Sequence, residues 1–567
     1  MHPRTARAAG AGAALLLGAL FVAPLAMVLQ GGLVSEGRWT TTWLAAVFRN
    51  PVYVEGLGNS ALIATATTAL AAALGLPLAW LATRRDFFGR RVVTAAILLP
   101  MVLPPFVGAI GVQQILGRRG ALNAALGLEV DWLGAARMAA VIALEALALY
   151  PVVFLNVSAA LANVDPAMEE AAENLGCRGW AKFRRITLPL IWPGLFAGGA
   201  IVWIWSFTEL GTPLMLGFSR CAPVQVYDAL KEIGTNPRPF ALVAVMMATC
   251  LAVFVSARLL VGRYLTAMPT KGAAAAAPQR LTGRQAAAAL AAFAAVGSLA
   301  LAPHAGVVLT SVAVPGTWYG QAWPGEWTAA HLAEALGHDL AAMSIRNSLL
   351  YSAGAVVLAV ALGLAISTVV VRSDLRWRGG LDAMATLPLA VPGLVMAFGY
   401  LALSARLSHL EWVRSNPAAR AMLDVRTHPA FFLIVAYAVR RLPYVVRSIT
   451  AGLQQVPSAY EEAAAALGCP PGRTLRRITL PLISANVVAG GLLTFAFSML
   501  EVSDSLLLAQ RMDFYPITKT IYELNSLIGT GPHLAAALGL WAMAFLAAAI
   551  ATASRLLGRR MGTLFRL

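Results

Sequence analysis

Charge is scarce in this chain: 12% of its 567 residues are Asp, Glu, Lys or Arg, against 59% that are hydrophobic. With a mean hydropathy of +0.72, that balance excludes a water-soluble globular protein of this size and assigns the chain to a bilayer. Cysteine is scarcer still. Cys177, Cys221, Cys250 and Cys469 include no C-x-x-C pair, so neither a disulfide framework nor a zinc site is indicated. The seven histidines form no H-E-x-x-H helix, and a metal centre is not expected. No Ser/His/Asp or Cys/His arrangement stands out, so no catalytic residue is assigned. None of the four lysines (Lys182, Lys231, Lys271, Lys519) lies in a G-x-x-x-x-G-K-[ST] loop, so the chain is expected to bind no ATP of its own.

What is abundant is apolar sequence. A spanning helix takes about 20 apolar residues, and twelve segments qualify, near 11–29, 60–83, 92–116, 138–160, 194–216, 240–261, 286–312, 347–371, 381–404, 430–450, 486–508 and 534–556. The first follows Arg4 and Arg7 as a signal peptide would, but Gly and Ala run on without a clear cleavage site, and it reads as a retained anchor. The net charge of +17 would suggest nucleic acid in a soluble protein. Here the arginines cluster between apolar runs, as in 84–91, 372–378 and the tail Arg559-Arg560, and act as cytoplasmic orientation signals facing membrane lipid. Both termini are therefore expected in the cytoplasm. Four arginines in the outer loop 404–429 run against the rule, and 263–284, with its alanine run and Pro269 and Pro278, reads as a cytoplasmic linker.

The halves repeat. Asn59-Ser60 matches Asn347-Ser348, Leu74-Gly75 matches Leu362-Gly363, and Pro100 and Pro104 match Pro388 and Pro392, all at an offset of 288. From 161–191 against 453–483 the offset is 292, with 18 identities in 31 positions. Six spans per half point matching segments the same way across the membrane, which makes a parallel repeat about an axis along the membrane normal. The fold class expected is an all-α polytopic membrane protein of about twelve helices in two halves of six.

The best-matched stretch lies between the fourth and fifth spans of each half. Asp165 can cap a helix that has Pro166 in its first turn and Glu169 and Glu170 opposing the dipole. Gly176 ends it in a left-handed turn. A second, basic segment holds Arg184-Arg185, and Pro189 is expected to break it before the next span. The result is a helix, a turn and a helix at the inner surface, too short to fold alone, whose exposed Ala and Leu face suits insertion into another protein.

Glu170-Ala171-Ala172, Gly176, Ile186 and Leu188-Pro189, repeated with identical spacing as Glu462-Ala463-Ala464, Gly468, Ile478 and Leu480-Pro481, resemble the EAA motif of permease subunits of binding-protein-dependent ABC importers. The resemblance implies that these loops are coupling helices seated on an ATPase subunit dimer, which binds ATP, and that an extracytoplasmic solute-binding protein delivers the cargo to an inner-membrane permease. Two such loops in one chain resemble the fused permeases of the ferric iron and thiamine importers. The flanks 205–213 and 515–519 look more like the ferric branch; thiamine, polyamines and phosphonate-type solutes remain open. The domains implied are 1–56 (first helix and outer loop), 57–262 (first permease domain), 263–344 (linker, seventh helix and outer loop), 345–557 (second permease domain) and 558–567 (basic tail). A major-facilitator-type secondary transporter shares the twelve-helix parallel repeat but has no use for paired inner-surface loops.

Charges inside spans are costly and usually functional. Glu145 falls in the fourth span, Glu209 in the fifth and Glu501 in the eleventh, followed there by Asp504. Glu209 and Glu501 are separated by the repeat offset of 292, and are expected either to face each other along a translocation path or to cap helix breaks beside Gly211-Thr212-Pro213 and its counterpart. Arg440 and Arg441 are expected to snorkel to the inner surface. His331 and His338, with Glu334 and Asp339, read as a solvated outer loop.

Overall fold

The computed structural model describes residues 3–35, 37–102, 104–232, 236–267 and 278–557. The tail 558–567 and the alanine run of the linker lie outside them. Among the described residues nine helices are long and apolar enough to cross a membrane: Thr5–Leu33, Pro51–Arg84, Arg137–Ala162, Gly179–Phe207, Arg238–Leu260, Gly283–Val312, Asp339–Arg372, Pro471–Met499 and Gly531–Ala549. Two further spans are bent pairs, Arg90–Met101 with Pro105–Leu126 at 90° and Arg378–Leu389 with Gly393–Leu407 at 103°. Ala430–Gln455 completes the twelve; it is the repeat partner of Arg137–Ala162, also of 26 residues, made less apolar by Arg440, Arg441 and Arg447. Spans are numbered below in this chain order.

Three expectations are corrected. The third and ninth spans are not straight: Pro104 and Pro392 take extended backbone, ψ 130° and 145°. Proline offers no N–H and pushes the residue before it out of helix, so the apolar run turns instead of crossing directly. The fifth and eleventh helices begin earlier and end earlier than hydropathy indicates, stopping at Phe207 and Met499; short helices Gly211–Met215 and Ser503–Leu508 follow after breaks. Nor does Pro189 end the basic segment. A π-turn at Phe183–Thr187 carries the helix through it, and Leu475–Thr479 does the same before Pro481. The wider turn accommodates the missing donor and the ring.

Within each half the second and fourth spans pack where a glycine admits close approach. A Cβ on Gly75 would stand 2.8 Å from the Tyr150 carbonyl oxygen, and one on Gly363 2.6 Å from Val445 Cγ1. The first span of each half instead crosses to the other half. Tyr400 Oη of the ninth span donates to the Leu20 carbonyl at 2.7 Å, and Gly399 abuts Pro24. In the seventh span Gly306 meets Gly111 of the third, where a Cβ would stand 2.7 Å from Gly111 Cα. One large apolar core therefore runs through both halves, with a smaller core at the side of each. Among the described residues strand is confined to two-residue pieces; one pairs Arg85–Asp86 with Gln279–Arg280, tying the end of the linker to the first arginine cluster.

His331 is not solvated. It sits on the helix Ala330–Gly337, 5% exposed, stacked on His533 of the twelfth span with ring centroids 5.2 Å apart. The amphipathic helix buries it against the bundle.

Candidate functional site

The two EAA loops share one geometry. In the first, Asp165 Oδ1 accepts from the Ala167 N–H at 2.9 Å, capping the helix Pro166–Asn174. Gly176, at φ +84°, closes it with Gly176 N–H to Glu173 O at 3.0 Å and Cys177 N–H to Ala172 O at 2.9 Å. In the second, the helix Ala459–Ala466 ends at Gly468, φ +75°, with the corresponding bonds to Ala465 O and Ala464 O at 3.0 and 2.9 Å. Both glycines thus hold the left-handed terminal turn that satisfies the last carbonyls.

Burial is matched position by position. Ala172 and Ala464 are buried, whereas Glu170, Ala171, Gly176 and their counterparts Glu462, Ala463 and Gly468 are exposed. Ile186, Leu188, Ile478 and Leu480 are half-buried at the turn into the fifth and eleventh spans, and Pro189 and Pro481 are exposed. The most open apolar side chain of each loop is the same position: Leu175 and Leu467 are each 88% exposed, and the equivalent Met168 and Tyr460 are 45% and 55% exposed, while Trp180, 72% exposed, has only Gly472 opposite it in the repeat.

What anchors the loops is a residue that motif spacing passes over. Glu169, just before Glu170, pairs with Arg84, the last residue of the second span, at 3.2 Å, and accepts from Thr187 Oγ1 in the π-turn at 2.7 Å. Glu461 repeats this with Arg372 at 3.3 Å and Thr479 at 3.0 Å. Each loop is thereby tied both to its half's second span and to its fifth. The sequence signal was present: Arg84 and Arg372 stand at the 288 offset, Glu169 and Glu461 at 292. Nearby, a hydrogen bond from Lys182 holds the Glu173 carboxyl below its ordinary value of 4.5.

The intramembrane charges gather near the centre but not symmetrically. Glu209 accepts from the Thr212 N–H at 3.2 Å and so caps the break before Gly211–Met215. Glu501, 4% exposed, bridges two cations, bonding Arg440 at 2.5 Å and also Arg441. Arg440 is 3.5 Å from Asp504 as well, and Arg441 lies over the Phe497 ring at 5.2 Å. Arg440 and Arg441 therefore do not snorkel; a charge that finds two carboxylates within its bundle is compensated there. Gly393 makes room for them, since a Cβ there would overlap the Arg440 guanidinium. The first half has Ala148 and Leu149 at the arginine positions, the second half has Tyr437 at the position of Glu145, and Thr212 stands for Asp504. Glu145, 1% exposed, accepts from Ser206 Oγ, while its Oε1 has no partner. The two breaks meet, because Gly211 is wedged between Phe106 and Val502. Among the described residues no three His, Cys, Asp or Glu are placed to hold a metal ion.

Spans in two parallel halves, matched helix-turn-helix loops and a charged, broken-helix centre define a polytopic membrane permease. Residues 72–266 and 355–561 each match the family described as binding-protein-dependent transport system inner membrane component. The chain belongs to that family, and is a multi-pass inner-membrane transport component, not an enzyme. The major-facilitator alternative is thereby set aside. A putative ferric transport system permease protein of Haemophilus influenzae is 26% identical over 82% of this chain and 70% of its own length. A probable ABC transporter permease protein of Sinorhizobium fredii is 25% identical over 87% of this chain and 80% of its own. A probable molybdenum ABC transporter permease protein of Haloferax volcanii is 32% identical, over 36% of this chain and 75% of its own.

Proposed function

We propose that the chain supplies both membrane halves of a ferric iron importer, with both termini and both EAA loops in the cytoplasm, one ATPase subunit on each loop and a solute-binding protein delivering cargo outside. The observation that carries the coupling is the paired exposure of Leu175 and Leu467, equivalent apolar side chains that a partner's groove would bury. Closing of the ATPase dimer would move both loops, and through Glu169 and Glu461 the second, fifth, eighth and eleventh spans with them. The fifth and eleventh helices are continuous with the loops, so the motion reaches the breaks at Glu209 and Glu501.

Two features support iron as cargo. The ferric relative aligns over 82% of the chain and so across both halves, whereas the molybdenum relative matches 36% of it, less than one half. The buried central groups carry more carboxylates (Glu145, Glu209, Glu501, Asp504) than guanidinium groups (Arg440, Arg441), a balance that favours a cation. ATP-dependent uptake into vesicles holding the permease, its ATPase and its binding protein tests the reading. Radiolabelled ferric iron is expected to accumulate and molybdate and sulfate not to; accumulation of either oxyanion without iron would overturn it.

A further inference from the structure

Beyond the breaks, each half places a short helix between its fifth and sixth spans, Ala222–Asp228 in the first and Ile517–Asn525 in the second. The two begin at equivalent points. The Ala222 N–H donates to Ser60 Oγ at 3.0 Å and the Ile517 N–H to Ser348 Oγ at 2.8 Å, which gives the repeated Asn-Ser pairs of the second and eighth spans a structural role. Counting from there, Val226-Tyr227-Asp228 corresponds to Ile521-Tyr522-Glu523, an offset of 295.

Tyr227 and Tyr522 are therefore the same position in the two halves, and they touch: their rings meet edge to face, centroids 6.3 Å apart and planes at 82°. Equivalent residues in contact must straddle the axis that relates them. The axis of a parallel repeat runs along the membrane normal, so this pair stands across the permease path.

A cation is held at the same place. Lys519, 6% exposed, lies with Nζ 5.6, 5.5 and 5.4 Å from the ring centres of Tyr227, Tyr515 and Tyr522. It donates to Tyr227 Oη at 3.2 Å, across the junction of the halves, and pairs with Glu523 at 2.8 Å. Three aromatic faces, a phenol oxygen and a carboxylate make an environment that stabilises positive charge. The first half has Val224 at the corresponding position, as it must: two ammonium groups related by an axis passing this close would collide.

The geometry points to a cation seat on the path axis, built by both halves and filled here by the chain's own Lys519, which a transported cation displaces as the halves part. When Tyr227 moves away, Lys519 remains paired with Glu523 on its own helix, and the phenol oxygens of Tyr227 and Tyr522 are offered to the cargo. This inference rests on the reading of the protein as a cation importer.

The test is equilibrium binding to the purified permease–ATPase complex, using radiolabelled ferric citrate, spermidine and molybdate as probes. Lys519→Met and Lys519→Gln each vacate the seat and are expected to bind ferric iron about tenfold more tightly than the parent, while Lys519→Arg, which refills it, stays at the parental level. Adding Tyr227→Phe and Tyr522→Phe to Lys519→Met keeps the rings, removes the oxygens and is expected to abolish the gain for iron. If the gain is for spermidine instead, the seat stands and the iron reading falls. If neither cation gains in an assembled complex that still imports iron, the seat is wrong and the iron reading stands. A gain for molybdate alone overturns the seat as a cation site.

Discussion

At the scale of the residue, Gly176 and Gly468 are constrained by backbone alone. No atom would meet a Cβ at either, yet both have φ in the left-handed region, where a β-branched side chain costs about 1–2 kcal/mol. Gly176→Val or Gly468→Val is expected to abolish uptake while the chain still inserts, and Asn, which tolerates that conformation, to retain most of it; normal uptake and ATPase recruitment in both valine variants would refute the role in coupling. The central carboxylates separate in the same way. Glu209 caps a helix, but Glu501 compensates two buried arginines, and removing one partner of a buried pair typically costs about 3–5 kcal/mol. Glu501→Gln is thus expected to lower the melting temperature markedly and Glu209→Gln to leave it near the parental value while reducing iron uptake. Full uptake in the double variant would leave both residues purely structural roles. The exposed Lys182–Glu173 pair carries a pH prediction. A carboxyl held below its ordinary pKa contributes above 4.5 and loses that contribution only as pH falls through the lower folded value. ATPase docking is therefore expected to stay flat from neutral pH down to the ordinary carboxylate range, and a fall beginning near pH 6 would place the sensitivity elsewhere.

At the scale of the element, what hydropathy reads is apolar length, and what it misses is where that length is interrupted or reassigned. It finds the segments of all twelve spans, including Ala430–Gln455, but extends the fifth and eleventh through their breaks, because Leu210, Leu214 and Met215, and Leu506, Leu507 and Leu508, keep a long averaging window apolar. It places Arg440 and Arg441 at the surface because their partners lie about sixty residues away in sequence. The EAA spacing marks the loops correctly as helix, turn and helix, yet says nothing of Glu169 and Glu461, whose meaning depends on arginines at the ends of other helices. The crossing of the first and seventh spans to the opposite half has no local signature, since glycines such as Gly306 read as weak helix formers until the neighbouring backbone is known. That contact is testable: Gly306→Val forces the seventh span off Gly111, overpacking that commonly costs about 1–3 kcal/mol. A lower melting temperature is expected, with partial recovery in no variant that keeps the branched side chain; an unchanged melting temperature would show that the spans adapt.

At the scale of the whole molecule, the exchanged spans are expected to hold the halves together even with the linker cut. Chains ending and beginning within residues 268–277, expressed together, are expected to copurify and to import iron with the ATPase and binding protein; halves that purify separately would assign the linker a holding role. Covalent union then needs another explanation, and Lys519 supplies one in terms of parity. Two identical half-length subunits around a true two-fold axis can present groups there only in even numbers, so an odd, single charge is forbidden to them. Duplicating the half and joining the copies lifts that restriction, letting one wall of the path carry an ammonium group and the other a valine. On the proposed reading of this position as a cation seat, what fusion contributes is the right to be unequal on the axis itself.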